Sequence, residues 1–251
     1  MLDPSTAAYV RTLLPRSAAK YWMQRYSLFS RFDNFVQLDT EGWWSVTPEV
    51  LAAHQASRSR ELCARGLVAM DACCGCGGNV IQMAGVFPVV IGVEISPKRV
   101  EMARHNSSVY DVAHKCQFLC ADFFKVAPGL KVDALFMSPP WGGPKYQHVN
   151  TFDVFYPLVG FNKSLLRLLD VTLDCDGVVA AFLPRNTDLV QLAAVVPEHA
   201  VWEVERAYVN NKLKGITLYC HPGRTPDQPN VRLEADAEYM AQGAHMESSA
   251  G

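Results

Sequence analysis

Residues 138–146 combine a hydroxyl group, two prolines and an aromatic ring in one short segment, Ser-Pro-Pro-Trp-Gly-Gly-Pro-Lys-Tyr. The preceding residues 132–137 are mostly apolar and suit a buried strand. Because proline fixes the backbone and glycine ends regular structure, we expect a rigid turn at the carboxyl end of that strand. Such a turn suits a flat ring stacked on Trp141, with a polar group on the ring's edge facing Ser138. A surface loop with Trp141 packed into the core fits the same residues.

Acidic residues follow three earlier predicted strands. Each of these strands is a short apolar run, and the acids that come after them are Asp71, Glu94 and Asp122. Helix-compatible segments separate the strands, and this alternation predicts a doubly wound, mostly parallel sheet. The carboxyl ends of parallel strands meet at one edge, which is where open α/β sheets bind ligands. We therefore expect the three acids and Ser138 along one edge of the sheet.

A glycine-rich turn, Gly75-Cys76-Gly77-Gly78-Asn79, lies between Asp71 and the next predicted helix. It lets the backbone approach a ligand closely, but its spacing differs from the Gly-x-Gly-x-x-Gly pattern of dinucleotide sites. A carboxylate at Asp71 would repel a pyrophosphate, whereas it suits the ammonium and sulfonium groups of S-adenosylmethionine. Glu94 can accept hydrogen bonds from both ribose hydroxyls, and Asp122 can accept one from the adenine amino group. These acids predict S-adenosylmethionine rather than a nicotinamide cofactor; the structural alternative is that they only cap helices.

The composition describes an ordinary soluble protein of 251 residues with a formal net charge of −2. This charge excludes nucleic-acid binding through bulk positive charge and leaves a local basic patch open. Neither a secretory signal nor a run of about 20 apolar residues is visible, so we expect no membrane partner and a location in the nucleus or cytoplasm. The eight cysteines are expected as reduced thiols, and Cys73, Cys74 and Cys76 lack a second metal-binding pair, so no metal is expected.

Three parts of the chain are predicted. Residues 1–50 are expected to form a helical N-terminal extension, in which basic and aromatic side chains either contact a nucleotide or pack on the main domain. Residues 51–221 are expected to form the catalytic domain, with a helix over 155–169 and two last strands, over 200–209 and 216–220, as a hairpin. The composition of residues 222–251 indicates a mobile tail.

The chain resembles the trimethylguanosine synthases, which methylate N2 of the 7-methylguanosine RNA cap. The resemblance covers roughly residues 18–220, and its matching stretches are 20–33, 41–49, 71–79, 138–146, 183–186 and 210–214. It implies a Rossmann-like class I methyltransferase of the α/β class, with a seven-stranded, mostly parallel sheet and a small helical N-terminal extension. It also implies capped RNA as the partner, and we expect a monomer. Glu94 replaces the family's more usual Asp, and the number of methyl groups added stays open.

The resemblance also implies a role for individual residues. The residues implied to bind S-adenosylmethionine are Phe29, Thr47, Asp71, Gly75, Asn79, Glu94, Asp122, Ser138 and Pro139. Those implied to bind the cap are Lys20, Trp141, Tyr146, Arg185 and Asn186. Ser138, Pro139 and Trp141 form the implied catalytic group, with Phe29 and Thr47 closing the N-terminal extension over the methyl donor. Indole suits the cap because N7 methylation makes the base cationic.

Two other functions remain open from the sequence. An exocyclic-amine methyltransferase of the adenine-N6 type uses a similar polar-Pro-Pro-aromatic turn, although its first position is usually Asp or Asn rather than Ser138. A cap-binding module without turnover would keep the pocket for the base but would not need the three acids.

Overall fold

The computed structural model describes residues 21–63, 66–126, 132–141, 151–153, 177–196, 200–222 and 231–239. Over these ranges the strands are β1 (Val68–Asp71), β2 (Val89–Glu94), β3 (Cys116–Cys120), β4 (Ala134–Met137), β5 (Val178–Leu183), β6 (Ala200–Val209), β7 (Lys212–Pro222) and β8 (Val231–Tyr239). They form one eight-stranded sheet in the order β3-β2-β1-β4-β5-β7-β6-β8. The predicted helix over 155–169 lies outside the described residues.

Strands β1 to β5 form the parallel half of the sheet. Every residue of β4 and β5 is buried, as expected for central strands of a parallel sheet that is covered on both faces. The register pairs Asp71 with Gly92 and Glu94 with Cys120, so these strands end at the same edge. The predicted α/β class with a mostly parallel sheet is confirmed.

Strands β6 and β7 form the predicted antiparallel hairpin, and β7 pairs antiparallel with β5. Asn210 and Asn211 connect the hairpin with φ values of 50° and 59°, the left-handed conformation that two-residue hairpin turns require and that asparagine tolerates. Strand β8 lies parallel to β6 and makes the sheet eight-stranded rather than seven-stranded. Residues 231–239 belong to the predicted mobile tail, so that prediction is wrong for these residues. Their alternating apolar and charged sequence is a strand signal that outweighs the tail-like composition around it.

The described ranges contain seven α-helices. They are α1 (Arg25–Leu28), α2 (Gly42–Ser45), α3 (Glu49–Leu62), α4 (Gly78–Val86), α5 (Pro97–Val109), α6 (Phe123–Val126) and α7 (Leu189–Val195). Helices α4 and α5 connect consecutive parallel strands, and α3 packs beside α4. In this part of the chain no helix is long and apolar enough to cross a membrane.

The N-terminal segment packs on the domain through a third apolar cluster, separate from the two clusters against the sheet. Trp22, Phe29 and Trp43 are its large buried side chains, and the Trp22 and Trp43 ring centroids are 6.0 Å apart. Asn106 of α5 also fixes this segment, because its side chain accepts a hydrogen bond from the Gln37 amide (2.8 Å) and donates one to the Gln37 carbonyl (2.9 Å). The buried aromatic side chains of residues 21–47 therefore pack the segment onto the domain.

Gln55 of α3 joins three elements inside the core. This fully buried side chain donates a hydrogen bond to the Thr217 hydroxyl of β7 and accepts one from the Asn79 side chain of α4, both at 3.0 Å. Buried polar groups of this kind are stable only while each of them keeps its partner. Gln55 therefore connects Asn79, the last residue of the glycine-rich turn, to the central sheet.

We expect Gln55→Leu to lower the free energy of unfolding by about 2 kcal/mol, because the buried Thr217 and Asn79 groups would each lose a partner. Urea denaturation followed by circular dichroism measures this change. Gln117→Leu, at an exposed position of β3, is the control and should change stability little. Equal stability of the two variants would show that the buried hydrogen bonds contribute nothing.

Candidate active site

The three predicted acids lie at the carboxyl ends of neighbouring strands. Asp71 is the last residue of β1, Glu94 is the last residue of β2, and Asp122 follows β3 by two residues. Strands β1, β2 and β3 are adjacent and parallel. The fold therefore brings these carboxylates to one edge of the sheet, next to the turn that follows β4.

Asp71 is buried, and its carboxylate accepts a hydrogen bond from the backbone amide of Cys73 at 3.1 Å. Burial raises the pKa of the Asp71 carboxyl to about 7, and the nearby charge of Glu94 adds to this increase. An ionised Asp71 is therefore costly in this site until a positive charge lies beside it.

Glu94 fastens the glycine-rich turn to the next loop. One of its carboxylate oxygens accepts a hydrogen bond from the Gly75 amide (3.0 Å), and the other accepts one from the Ser96 amide (2.9 Å). Asp122 accepts a hydrogen bond from the Phe124 amide (3.0 Å) at the start of α6. The capping role considered from the sequence thus holds for Asp122, and it leaves the side chain half-buried beside a pocket.

A small pocket lies between the loops that follow β1, β2 and β3. Its lining residues are Ala72, Cys73, Glu94, Ile95, Ala121, Asp122 and Phe123. Ile95 is 63% exposed and Phe123 is buried, so the pocket has apolar walls beside two carboxylates. Sequence reasoning missed Ile95 and Phe123, although each directly follows one of the recognised acids. This combination suits a planar base attached to a sugar.

The glycines of the turn have different roles. Gly75 has a φ of +51°, and a Cβ built on it would meet no atom within 4 Å, so its backbone borders open space. Gly77 has a φ of +91°, and its Cβ would lie 3.2 Å from the Cα of Ala103 in α5. Gly77 therefore allows close packing of the turn on α5, while Gly75 leaves room for a ligand.

Phe29 and Thr47 are both buried in the N-terminal segment. A Cβ built on Gly78, the first residue of α4, would lie 3.9 Å from Phe29 Cζ and 3.1 Å from Val46 Cγ1. The segment thus rests on the glycine-rich turn at two points. Asn79, predicted to bind the cofactor, directs its amide group at Gln55 inside the core.

The Ser-Pro-Pro-Trp turn starts directly after β4. Ser138 and Trp141 are half-buried and Pro139 is buried. The indole of Trp141 packs on Phe182 of β5, with ring centroids 5.1 Å apart and planes tilted by 56°. Trp141 therefore packs on the core with part of its surface and exposes the rest, and its stacking on a flat ring stays a prediction. Tyr146 lies outside the described residues.

Arg185 and Asn186 follow β5, the neighbour of β4, so they lie beside the turn that carries Trp141. Arg185 is exposed and Asn186 is half-buried. The Asn186 carbonyl accepts a hydrogen bond from the Phe152 amide at 2.8 Å, which fixes this loop. Lys20 lies outside the described residues.

The thiols of Cys73, Cys74 and Cys76, in and directly before the glycine-rich turn, are poor candidates for nucleophilic or redox chemistry. Burial raises the pKa of the Cys76 thiol to about 11, and burial also raises the pKa of the Cys73 and Cys74 thiols. The thiolate is the nucleophilic form of cysteine, and this environment disfavours it. The carboxylates, rather than the thiols, are the groups available for binding at this edge.

Comparison with solved structures supports the fold. A precorrin-6y C5,15-methyltransferase from Geobacter metallireducens GS-15 matches 77% of this chain and 96% of its own, with 15% identity and a TM-score of 0.52. An S-adenosylmethionine-dependent O-methyltransferase from Thermotoga maritima matches 79% of this chain and 72% of its own, also with 15% identity and a TM-score of 0.52. These similarities show that the chain has the same Rossmann-like fold.

Comparison with known sequences is more specific. The trimethylguanosine synthase of Schizosaccharomyces pombe is 38% identical over 207 residues, which are 80% of this chain and 82% of that protein. The trimethylguanosine synthase of Saccharomyces cerevisiae is 34% identical over 209 residues, which are 78% of this chain and 65% of that protein. The family model for RNA cap guanine-N2 methyltransferases matches residues 67–222. The chain therefore belongs to the RNA cap guanine-N2 methyltransferase family.

Proposed function

We propose that the protein transfers methyl groups from S-adenosylmethionine to the exocyclic N2 amine of 7-methylguanosine RNA caps. The observation that carries this proposal is the arrangement of three carboxylates and the Ser-Pro-Pro-Trp turn along one edge of the sheet. Family membership indicates the reaction. The carboxylates would bind the methyl donor, and the turn would bind the base of the cap.

The residues at the acidic edge fit the methyl donor. Asp71 becomes less costly to ionise beside the positive ammonium and sulfonium groups. Glu94 would accept the ribose hydroxyls, while Ile95, Asp122 and Phe123 would hold the adenine between apolar walls and an acceptor. Gly75 leaves space for the ligand, Phe29 lies against the turn at Gly78, and the buried Thr47 would close over the ligand with it. The bound donor supplies an electrophilic methyl group.

Cap recognition is assigned to the turn after β4 and the loop after β5. The exposed part of Trp141 would stack on the cationic 7-methylguanine, a contact worth about 1–2 kcal/mol when desolvated. This energy favours a methylated cap over plain guanine by roughly tenfold. Lys20 and Arg185 would contact the cap phosphates, and Tyr146 and Asn186 would line the same pocket.

Positioning supplies most of the catalysis in this account. The guanine N2 lone pair is delocalised into the ring, so it attacks well only when the amine moves out of conjugation. The Ser138 hydroxyl and the carbonyl of Pro139 would accept hydrogen bonds from the two N2–H groups. These hydrogen bonds would direct the N2 lone pair toward the methyl group. Held in this way, the N2 nitrogen would take the methyl group by direct displacement, forming its bond to carbon as the carbon–sulfur bond breaks, and the N2 proton would leave after transfer.

Mass measurement of a 7-methylguanosine-capped dinucleotide incubated with S-adenosylmethionine tests the proposed reaction. A gain of one or two methyl groups supports it and also gives the number of methyl groups added. Transfer to uncapped RNA or DNA with no gain on the cap would favour an adenine-N6-type activity. Binding of the cap without any transfer would indicate a module without turnover.

We expect Trp141→Ala to lower kcat/KM for the capped dinucleotide by at least about tenfold, because the cation–π contact is lost. The affinity for S-adenosylmethionine, measured by calorimetry, should stay within about twofold. Trp202→Ala is a matched control, since this tryptophan lies on β6 near the far side of the sheet. Near-normal turnover in Trp141→Ala would refute the stacking assignment.

A pH dependence follows from the raised pKa of Asp71. In the folded protein without ligand, the Asp71 carboxyl keeps its proton up to about pH 7, whereas in the unfolded chain it loses the proton at about pH 4. The free energy of unfolding therefore falls as the pH rises from about 4 to about 7. A cationic ligand favours the ionised form, and its binding must release that proton at lower pH. We expect affinity for S-adenosylmethionine to rise by up to about tenfold between pH 6 and pH 7.

Calorimetry at several pH values and in two buffers of different ionisation enthalpy measures both the affinity and the proton release. Asp71→Asn, which cannot titrate, is the control and should bind weakly with little change over this range. The neighbouring Glu94 carboxylate contributes to the shift, so Glu94→Gln should move the transition to lower pH. An affinity that is independent of pH in the unmodified protein would contradict this assignment.

A further inference from the structure

Glu49, the first residue of α3, accepts hydrogen bonds from two separate parts of the chain. One carboxylate oxygen accepts from the Ser30 amide (2.6 Å) and the Tyr110 hydroxyl (2.6 Å). The other accepts from the Ser30 hydroxyl at 2.7 Å. These are short contacts to an ionised acceptor, which are the stronger class of hydrogen bond.

The residues joined by Glu49 flank those that rest on the glycine-rich turn. Ser30 directly follows Phe29, and Glu49 follows Val46 by three residues. Phe29 and Val46 are the two side chains that a Cβ on Gly78 would meet. The Glu49 carboxylate therefore joins the two ends of the covering loop, residues 30–48, at the place where both ends reach the turn.

A second set of contacts anchors the same point to α5. The Tyr110 hydroxyl, which donates to Glu49, also accepts a hydrogen bond from the Arg31 amide at 3.2 Å. The Arg31 guanidinium contacts the Val109 carbonyl (2.9 Å) and the Asp111 carboxylate (2.7 Å). Burial and the Glu49 carboxylate both raise the pKa of Tyr110, so its hydroxyl stays a donor at neutral pH.

We propose that Glu49 is a positioning residue for methyl-donor binding, which latches the covering loop so that Phe29 stays over the glycine-rich turn. The residue contacts neither reactant in this account and acts through Ser30, Phe29 and Tyr110. The identity of the ligand under the loop rests on the proposed function, whereas the latch itself rests on the contacts of Glu49. Glu49 also lies in the first turn of α3, where a carboxylate interacts favourably with the helix dipole.

Two measurements on Glu49→Ala test the latch. Without any ligand, hydrogen exchange of residues 29–47 should become faster, because the loop loses its fastening to α3 and α5. Calorimetric affinity for S-adenosylhomocysteine should fall by about tenfold. The KM for S-adenosylmethionine should rise similarly while kcat at saturation changes little, a split that general loss of folded protein would not produce.

Glu61→Ala is the matched control, since Glu61 is an exposed glutamate on the same helix whose carboxylate pairs with Arg58 at 3.0 Å. It should leave exchange, affinity and KM unchanged. Tyr110→Phe and Ser30→Ala each remove one donor and should give smaller shifts in the same direction. These two variants also keep the test decisive if Glu49→Ala folds poorly.

The results separate the latch from the proposed function. Faster exchange and weaker nucleoside binding support the latch even if no capped RNA is methylated, because neither readout uses the cap. Equal exchange and equal affinity in Glu49→Ala and Glu61→Ala would overturn the latch and leave the proposed function standing.

Discussion

Acidic side chains at the carboxyl edge of a parallel sheet carry a desolvation cost, and the rest of the site is arranged around it. Asp71 and Glu94 are buried beside each other, and backbone amides of Cys73, Gly75 and Ser96 are the donors that hold them. Backbone amides are uncharged donors whose positions are fixed by the chain. They therefore hold the carboxylates in place without neutralising their charge. A cationic ligand would favour the ionised form of Asp71, whose pKa burial raises to about 7, so this edge suits such a ligand.

This constraint explains the structure of the surrounding loops. The carboxylates order the turns that donate to them, and the turns in turn need glycine where the backbone adopts positive φ, as at Gly75 and Gly77. The turn is covered by the N-terminal segment, whose Phe29 and Val46 side chains lie against Gly78. Helix α3 joins the cover to the core, because Glu49 holds the loop and Gln55 holds Asn79. The N-terminal segment thus lies against the glycine-rich turn of the candidate site.

The sequence predicts the features that depend on local pattern. Apolar runs that end in Asp71 or Glu94 identify both the strands and their carboxyl edge, and the two consecutive strand-like runs over 200–209 and 216–220 predict the hairpin of β6 and β7. Strand β8 was missed because its alternating pattern lies within a stretch of tail-like composition. Contacts between distant segments leave no local signal, so the roles of Ile95 and Glu49 emerge only when the fold brings their partners together.

Calorimetric titration of S-adenosylmethionine into Glu94→Gln will show whether the acids at the strand ends recognise the methyl donor. Glu101→Gln, at an exposed position of α5, serves as the matched control. We expect Glu94→Gln to bind at least about tenfold more weakly than the unmodified protein and Glu101→Gln to bind equally well. A folded Glu94→Gln protein with unchanged affinity would contradict this recognition of the methyl donor.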